Sequence, residues 1–243
     1  MPATARPTAA RMVAGLLREE ILGHPGADPW FLGSEDELLE RLGVSRPTLR
    51  QAARLLEAEQ LLEVRRGLKG GLYGRKPDTE GVIHATSVFL RSEGTTLLDV
   101  VEVQVLVTPA CAGSAARHPD PAARAALLDF ALALRDTAAG PDGIRRYGRA
   151  RIEFSRRLAE LSHNPVLRLV QHLLADIAAT GGPVLLDPGA VGESLDYYES
   201  VARCIAAGDA EGAESAARAA NLQTLHRVRA LADSEGLSVL RTR

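Results

Sequence analysis

Three arginines, Arg46, Arg50 and Arg54, recur at steps of four in the stretch GVSRPTLRQAARLLEAEQLLEVRRG, residues 43–67. On a helix that step stacks the guanidinium groups along one face. A row of planar fork donors suits phosphate oxygens, or the O6 and N7 acceptors of guanine. Arg65, Arg66 and Lys69 come shortly after. Between residues 44 and 76 there are eight basic side chains (Arg46, Arg50, Arg54, Arg65, Arg66, Lys69, Arg75, Lys76) against three acidic ones (Glu57, Glu59, Glu63), and both lysines of the chain are among them. From residue 77 to the end, 17 basic residues face 21 acidic ones, so the cationic character is local and only this region would hold a polyanion. The plainer reading of such a stripe is a solvated helix face paired with Glu57 and Glu59.

The elements that must carry the stripe can be read from the pattern around it. Val13, Leu16, Leu17 and Ile21 have helical spacing over residues 8–23, and GHPGADP then breaks the helix. Ser34 with Glu37 forms a capping box ahead of Leu38 and Leu39, and Gly43 ends that second helix. Ser45 can cap the next one, whose Leu49, Ala53 and Leu56 lie opposite the arginines. LLEVRRG and GGLYGRK read as two short strands around a Gly-rich basic tip. Helix, helix, tight turn, helix and basic hairpin outline a winged helix-turn-helix, whose second turn-motif helix enters the DNA major groove. Architectural DNA binding without an effector shares that outline, although it does not require a large, mildly acidic C-terminal region.

That C-terminal region is a succession of helical patterns near 79–92, 96–117, 121–139, 142–161, 165–179, 190–207 and 209–233, with the loop GGPVLLDPG before the sixth. Pro109 lies inside the second of these and should kink or split it. The expected fold is mainly α: a winged helix-turn-helix over residues 1–76, then an all-α antiparallel bundle of six or seven helices over 77–243, joined through KPDTEG. At 243 residues and 46% hydrophobic the chain can bury two modest cores. It has no run of about 18 uncharged apolar residues and no secretory-type N-terminus, so a cytoplasmic protein without a membrane partner is expected. Cys111 and Cys204 show no C-x-x-C spacing and read as reduced thiols. His163 and His172 read as a loop residue and a bundle residue, not as ligands. No G-x-S-x-G, phosphate-binding Gly loop or partnered carboxylate pair suggests an enzyme.

SEDELL, LGVSRPTLRQA and LLEAEQLL, in this order and spacing, strongly resemble the winged-helix domain of GntR-family bacterial transcription regulators. The resemblance implies DNA contacts from Ser45, Arg46, Thr48 and Arg50, and from a wing that includes Arg65, Arg66, Gly67 and Lys69. One departure is Asp36, where many members carry Arg, so a contact at the start of the second helix is expected to be missing. LAELSHNPVLRLV and CIAAGDAEGAESAARAANL resemble the helical ligand-binding and dimerisation domain of the FadR-like subgroup. Its implied partners are an operator in double-stranded DNA, a small-molecule effector and a second copy of the chain, and its commoner behaviour is repression relieved by ligand.

Many members of that subgroup hold a divalent metal with one Asp and three His. The matching positions here carry Arg151, Ser155, Tyr198 and Ala220 or Asn221, which are poor ligands, so no metal and no other cofactor is expected. A further Arg and Glu of the subgroup read as Gln104 and Thr108. The implied effector site is therefore Arg151, Ser155, Tyr198, Gln104 and Asn221. If Arg151 points inward, it could hold an organic anion such as a carboxylate or acyl compound; the alternative is that it pairs with Glu153 or Glu193 or faces solvent.

Overall fold

The computed structural model describes residues 8–26, 29–67, 70–77, 79–138, 142–180 and 188–235. The first compact unit, ending at Val82, contains α1 (Ala9–Gly23), β1 (Trp30–Gly33), α2 (Glu35–Leu42), α3 (Arg46–Ala58), β2 (Leu62–Arg65) and β3 (Gly71–Gly74). Its core arises from helical periodicity: Val13, Leu17 and Ile21 of α1 meet Leu38 of α2 and Leu49, Ala53 and Leu56 of α3. Burying each large aliphatic side chain is worth about 1.5–3 kcal/mol. At the start of α2 the Glu37 N–H donates to Ser34 Oγ at 3.3 Å, and the Ser34 N–H donates to Glu37 Oε2 at 2.7 Å. Both orphan donors are thereby satisfied. Gly43 closes α2 at φ +62°, a left-handed conformation that a side chain would strain.

Two expectations need correction here. Ser45 occupies the N-cap position of α3, yet its hydroxyl lies 2.9 Å from Thr48 Oγ1 and caps no backbone N–H. The sheet also has a third strand. Its order is β1-β3-β2, all antiparallel, with Trp30 opposite Gly74 and Val64 opposite Leu72. Four residues are too few to show a strand period; β1 is a strand because the free edge of β3 needs hydrogen-bonding partners.

The second unit begins at Ile83, inside α4 (Thr79–Ser92), whereas the sequence places the junction at 76/77, in the linker KPDTEG. It continues through α5 (Leu97–Ala116), α6 (Pro121–Ala138), α7 (Gly143–Leu161), α8 (Pro165–Thr180), α9 (Pro188–Ala207) and α10 (Ala210–Glu235). The loop read at GGPVLLDPG lies largely outside the described residues. α5 is the central helix, packed on α7, α8, α9 and α10. It is long and apolar enough by composition to cross a membrane, but half of that segment is buried inside the bundle. A capping box of Thr96 and Asp99 starts it. Pro109 is buried and does not split α5, which runs unbroken from Leu97 to Ala116 because packing on both sides of the proline outweighs one lost N–H.

One core cluster gathers Cys111, Leu127, Tyr147, Phe154, Leu158 and Ile205; another gathers Leu97, Val101, Leu174, Ile177 and Val228. Burial pushes the Cys111 thiol up to about 12, and both cysteines are free, with Cys204 only half-buried. His163, in the turn after α7, meets His118 with 2.7 Å between their Nε2 atoms, and His172 lies on α8 with Nε2 3.8 Å from Glu160.

Candidate functional sites

The arginine stripe sits on the exposed face of α3, but its first two members are already paired. Arg50 Nε donates to Glu35 Oε1 at 2.9 Å, and Arg46 Nη2 donates to Asp36 Oδ1 at 2.6 Å while its Nη1 lies 3.5 Å from Glu35. Glu35 and Asp36 stand in the first turn of α2, so the turn between α2 and α3 brings carboxylates to the arginines. The plainer partners, Glu57 and Glu59, are not used: Glu59 accepts from Arg18 at 2.6 Å. The Arg50 guanidinium holds the Glu35 carboxyl below the usual carboxylate range. Arg54 and Arg66 have no carboxylate partner among the described residues.

α3 and the β2–β3 hairpin form the two walls of a cleft of about 740 Å³, lined by Arg50, Arg54, Arg65, Arg66 and Gly67 together with Glu35 and Glu57. Arg65 is held along the hairpin, donating to Glu63 at 3.0 Å with its guanidinium 4.2 Å above the Tyr73 ring. At the tip the Gly70 N–H donates to Gly67 O at 2.7 Å, and Gly67 adopts φ +104°. Lys69 lies outside the described residues. Ser45, Arg46, Thr48 and Arg50 thus share the start of one helix, with Arg65, Arg66 and Gly67 across the cleft.

The second site lies within the bundle. A cavity of about 60 Å³ takes Gln104 and Thr108 from α5, Arg151 and Ser155 from α7, and Gln171 from α8. α9 adds Ser194, Tyr197 and Tyr198; α10 adds Ala220, Asn221, Thr224 and Arg227. The steps of three and four within each helix put these side chains on one face, and four of the five helices contribute two or more. All five residues that the sequence proposes for an effector are brought together here. Thr108, Gln171, Ser194, Tyr197, Thr224 and Arg227 are additions. Helical spacing from Asn221 through Thr224 to Arg227 is the signal that could have found the last of them.

The chemistry of this lining is unusual for a bundle interior. It has two guanidinium groups, no carboxylate, no imidazole and no thiol; apart from Ala220 every other group is a hydroxyl or an amide. Arg151 makes no ion pair among the described residues, and its Nε is buried without a hydrogen-bond partner. The candidate partners are taken: Glu153 accepts from Arg157 at 2.8 Å, and Glu193 pairs with Arg227. The lining does not fit a metal ion, which would need anionic or imidazole donors where this cavity presents cations. Thr108 Oγ1 donates to Gln171 Oε1 at 3.2 Å, and Asn221 Nδ2 donates to Ala217 O at 2.9 Å, so part of the polar wall is internally satisfied. Burial raises the phenol pKa values of Tyr197 and Tyr198, keeping both as neutral hydroxyls. Tyr147 Oη is buried beside Ser194 and Tyr198.

Comparison with known proteins accounts for both halves. Residues 9–69 match the model for bacterial regulatory proteins of the gntR family, and residues 99–222 match the FCD domain. A "Putative L-lactate dehydrogenase operon regulatory protein" of Escherichia coli (strain K12) is 28% identical over 195 residues, covering 76% of this chain and 72% of that protein. A Shigella flexneri protein of the same description matches over the same length with the same identity. Among solved structures, Streptococcus agalactiae GntR superposes with a TM-score of 0.66 at 21% identity, over 89% of this chain and 99% of that one, which shows a shared fold. A gntR-type winged helix followed by an FCD domain that spans half the chain makes this protein a member of the GntR family of transcription regulators, a DNA-binding protein and not an enzyme.

Proposed function

We propose that the chain is a cytoplasmic repressor that binds a short palindromic operator as a homodimer and releases it when a small organic anion enters the helical domain. On DNA, Arg46, Thr48 and Arg50 read base edges, Ser45 supports Thr48, and Arg65, Arg66, Gly67 and Lys69 hold groove edge and phosphate. Two copies are needed because one such helix reads only a few base pairs, and two-fold symmetry doubles the site. The helical domain supplies the contact between copies, by analogy with the family.

The observation that carries the effector reading is Arg151: a guanidinium with a buried, unpartnered N–H in a cavity without a carboxylate. Leaving such a donor unmet costs about 1–3 kcal/mol, and a carboxylate is the group that would relieve it. Tyr198, Ser155, Gln104 and Asn221 add neutral donors and acceptors around the same space, so the anion is held without a metal. The relative described as a putative L-lactate dehydrogenase operon regulatory protein has a name that concerns a small carboxylate, in keeping with this effector class. The test is operator release followed by fluorescence anisotropy against a panel of small carboxylates. A responsive acid should lose its effect in Arg151→Ala while that variant still binds operator; an unchanged response in Arg151→Ala overturns the reading. Footprinting tests the DNA half: a short symmetric footprint is expected, and broad coverage would mean architectural binding.

A further inference from the structure

Arg151 is not the only cation facing the cavity. Arg227 of α10 lines it too, and its carboxylate partner, Glu193 of α9, is not on the inner lining. Glu193 stands outside, on a neck of about 20 Å³ that Arg227, Ser194, Tyr197 and Thr224 also line. Beyond the neck an outer cleft of about 350 Å³ opens between α9 and α10, lined by Glu193, Asp196, Ser200, Ala216 and Gln223. Ser194, Tyr197, Ala220 and Thr224 belong to both the inner cavity and the neck, so the three spaces are consecutive. Arg227 lines both the inner cavity and the neck, whereas its ion-pair partner Glu193 lines only the neck of these two.

Size and charge together limit what can enter. The inner cavity holds roughly four to six water-sized groups at about 10–15 Å³ each, enough for one anionic head and little more. A ligand that fills more than this space lies against Arg227, the second guanidinium of the same lining. There it meets a guanidinium that is 26% exposed and held by a Glu193 carboxylate that is 51% exposed and solvated again easily once released. The inner surface offers hydroxyls and amides but no apolar wall, which suits oxygen-rich carbon and not an acyl chain.

We propose that the effector is a small hydroxylated acid with two anionic groups, one held by Arg151 and the other replacing Glu193 on Arg227. This rests on the reading of the cavity as an anion site and adds to it the ligand's second charge and the displacement of Glu193. The exchange removes the ion pair that joins α9 to α10, and α10 also packs along α5. Ligand entry therefore alters the contact between two helices of the bundle, the kind of differential interaction through which a ligand shifts a conformational equilibrium.

Calorimetric titration of the full chain tests this, with L-malate and meso-tartrate as dianions and glycolate as the monoanion. At least one dianion should bind about tenfold or more tightly than glycolate, the scale of one added charge-assisted hydrogen bond. Arg227→Gln should abolish that preference. Glu193→Gln, which removes the competitor, should tighten dianion binding severalfold, a gain that a misfolded variant cannot produce. Equal binding of dianions and glycolate by the wild-type chain, or no heat with either dianion, overturns the proposal. A preference that survives Arg227→Gln overturns it as well, and the anion site stands if binding still depends on Arg151. Binding that is indifferent to Arg151→Gln removes both.

Discussion

Arginine is used in two opposite ways in this chain. On α3, Arg46 and Arg50 have side chains 55% and 67% exposed, and carboxylates of α2 are already against them. In the bundle, Arg151 keeps a buried N–H without an acceptor, and no carboxylate lines its cavity. The first arrangement costs little to undo, because exposed ion pairs contribute about 0–1 kcal/mol and a phosphate or guanine edge can replace the carboxylate. The second leaves a buried donor unmet by any protein acceptor among the described residues, a cost that a bound acceptor would relieve. On the function proposed above, the arginines that face DNA are solvated and loosely held, whereas the arginine of the effector site waits for a counter-charge that the ligand supplies.

The largest effect should come from breaking the exposed side of this contrast. Arg50→Ala should cost about 1–3 kcal/mol on a selected operator and relax the preference at one base pair, measured by binding to single-substituted operators. Undiminished affinity would remove α3 as the reading helix. On the sheltered side, Arg151→Met should leave the fold intact and raise its stability by about 1 kcal/mol, because an unmet N–H leaves with the charge and thermal unfolding registers the gain. A clear loss of stability would mean that Arg151 is satisfied in the free protein. Smaller still is the effect of Glu35→Gln, which frees Arg50. Non-specific DNA affinity at low salt should rise by up to about 1 kcal/mol, with little change in operator preference.

The two regions also differed in how far they could be read from the chain alone. The capping box of Ser34 and Glu37, the stop at Gly43 and the apolar face of α3 rest on contacts within a few residues, and local chemistry determines them. The strand at Trp30–Gly33 does not, because only its pairing with β3 makes it a strand. Likewise, nothing near Arg50 in sequence announces Glu35, 15 residues away, as its partner; the crossing of α2 and α3 brings them together. In the bundle the spacing of Gln104 with Thr108 and of Arg151 with Ser155 suggests shared faces, and the resemblance to FadR-like regulators suggested which faces meet. Arg227 and the exclusion of every carboxylate from the lining required the packed helices, since charge along the chain here is mildly acidic.

The same contrast predicts opposite pH limits for the two units. In the first, Glu35, Glu59 and Glu63 have pKa values lowered chiefly by hydrogen bonds from Arg50, Arg18 and Arg65. A carboxyl whose folded pKa is lowered adds stability above its unfolded value, near 4.3, and that stability fades as pH falls through the folded value. In the second, one carboxyl, Glu199, is lowered in the same way by Arg203 and Arg135, but burial raises the pKa values of Cys111, Tyr147, Tyr197 and Tyr198. Such groups stabilise below their unfolded pKa, and the contribution is lost as pH rises, because the unfolded chain ionises first. With the Cys111 thiol pushed up to about 12, the loss at pH 9.5 from this group alone is less than about 1.5 kcal/mol. The chain has one tryptophan, Trp30, stacked on His24 with ring centroids 4.3 Å apart, so its fluorescence reports on the first unit, while helical circular dichroism is dominated by the second. Acid should lower the denaturation midpoint seen by fluorescence more than that seen by ellipticity, and mild alkali should do the reverse; midpoints moving together at both extremes would show that the two units do not differ in this way.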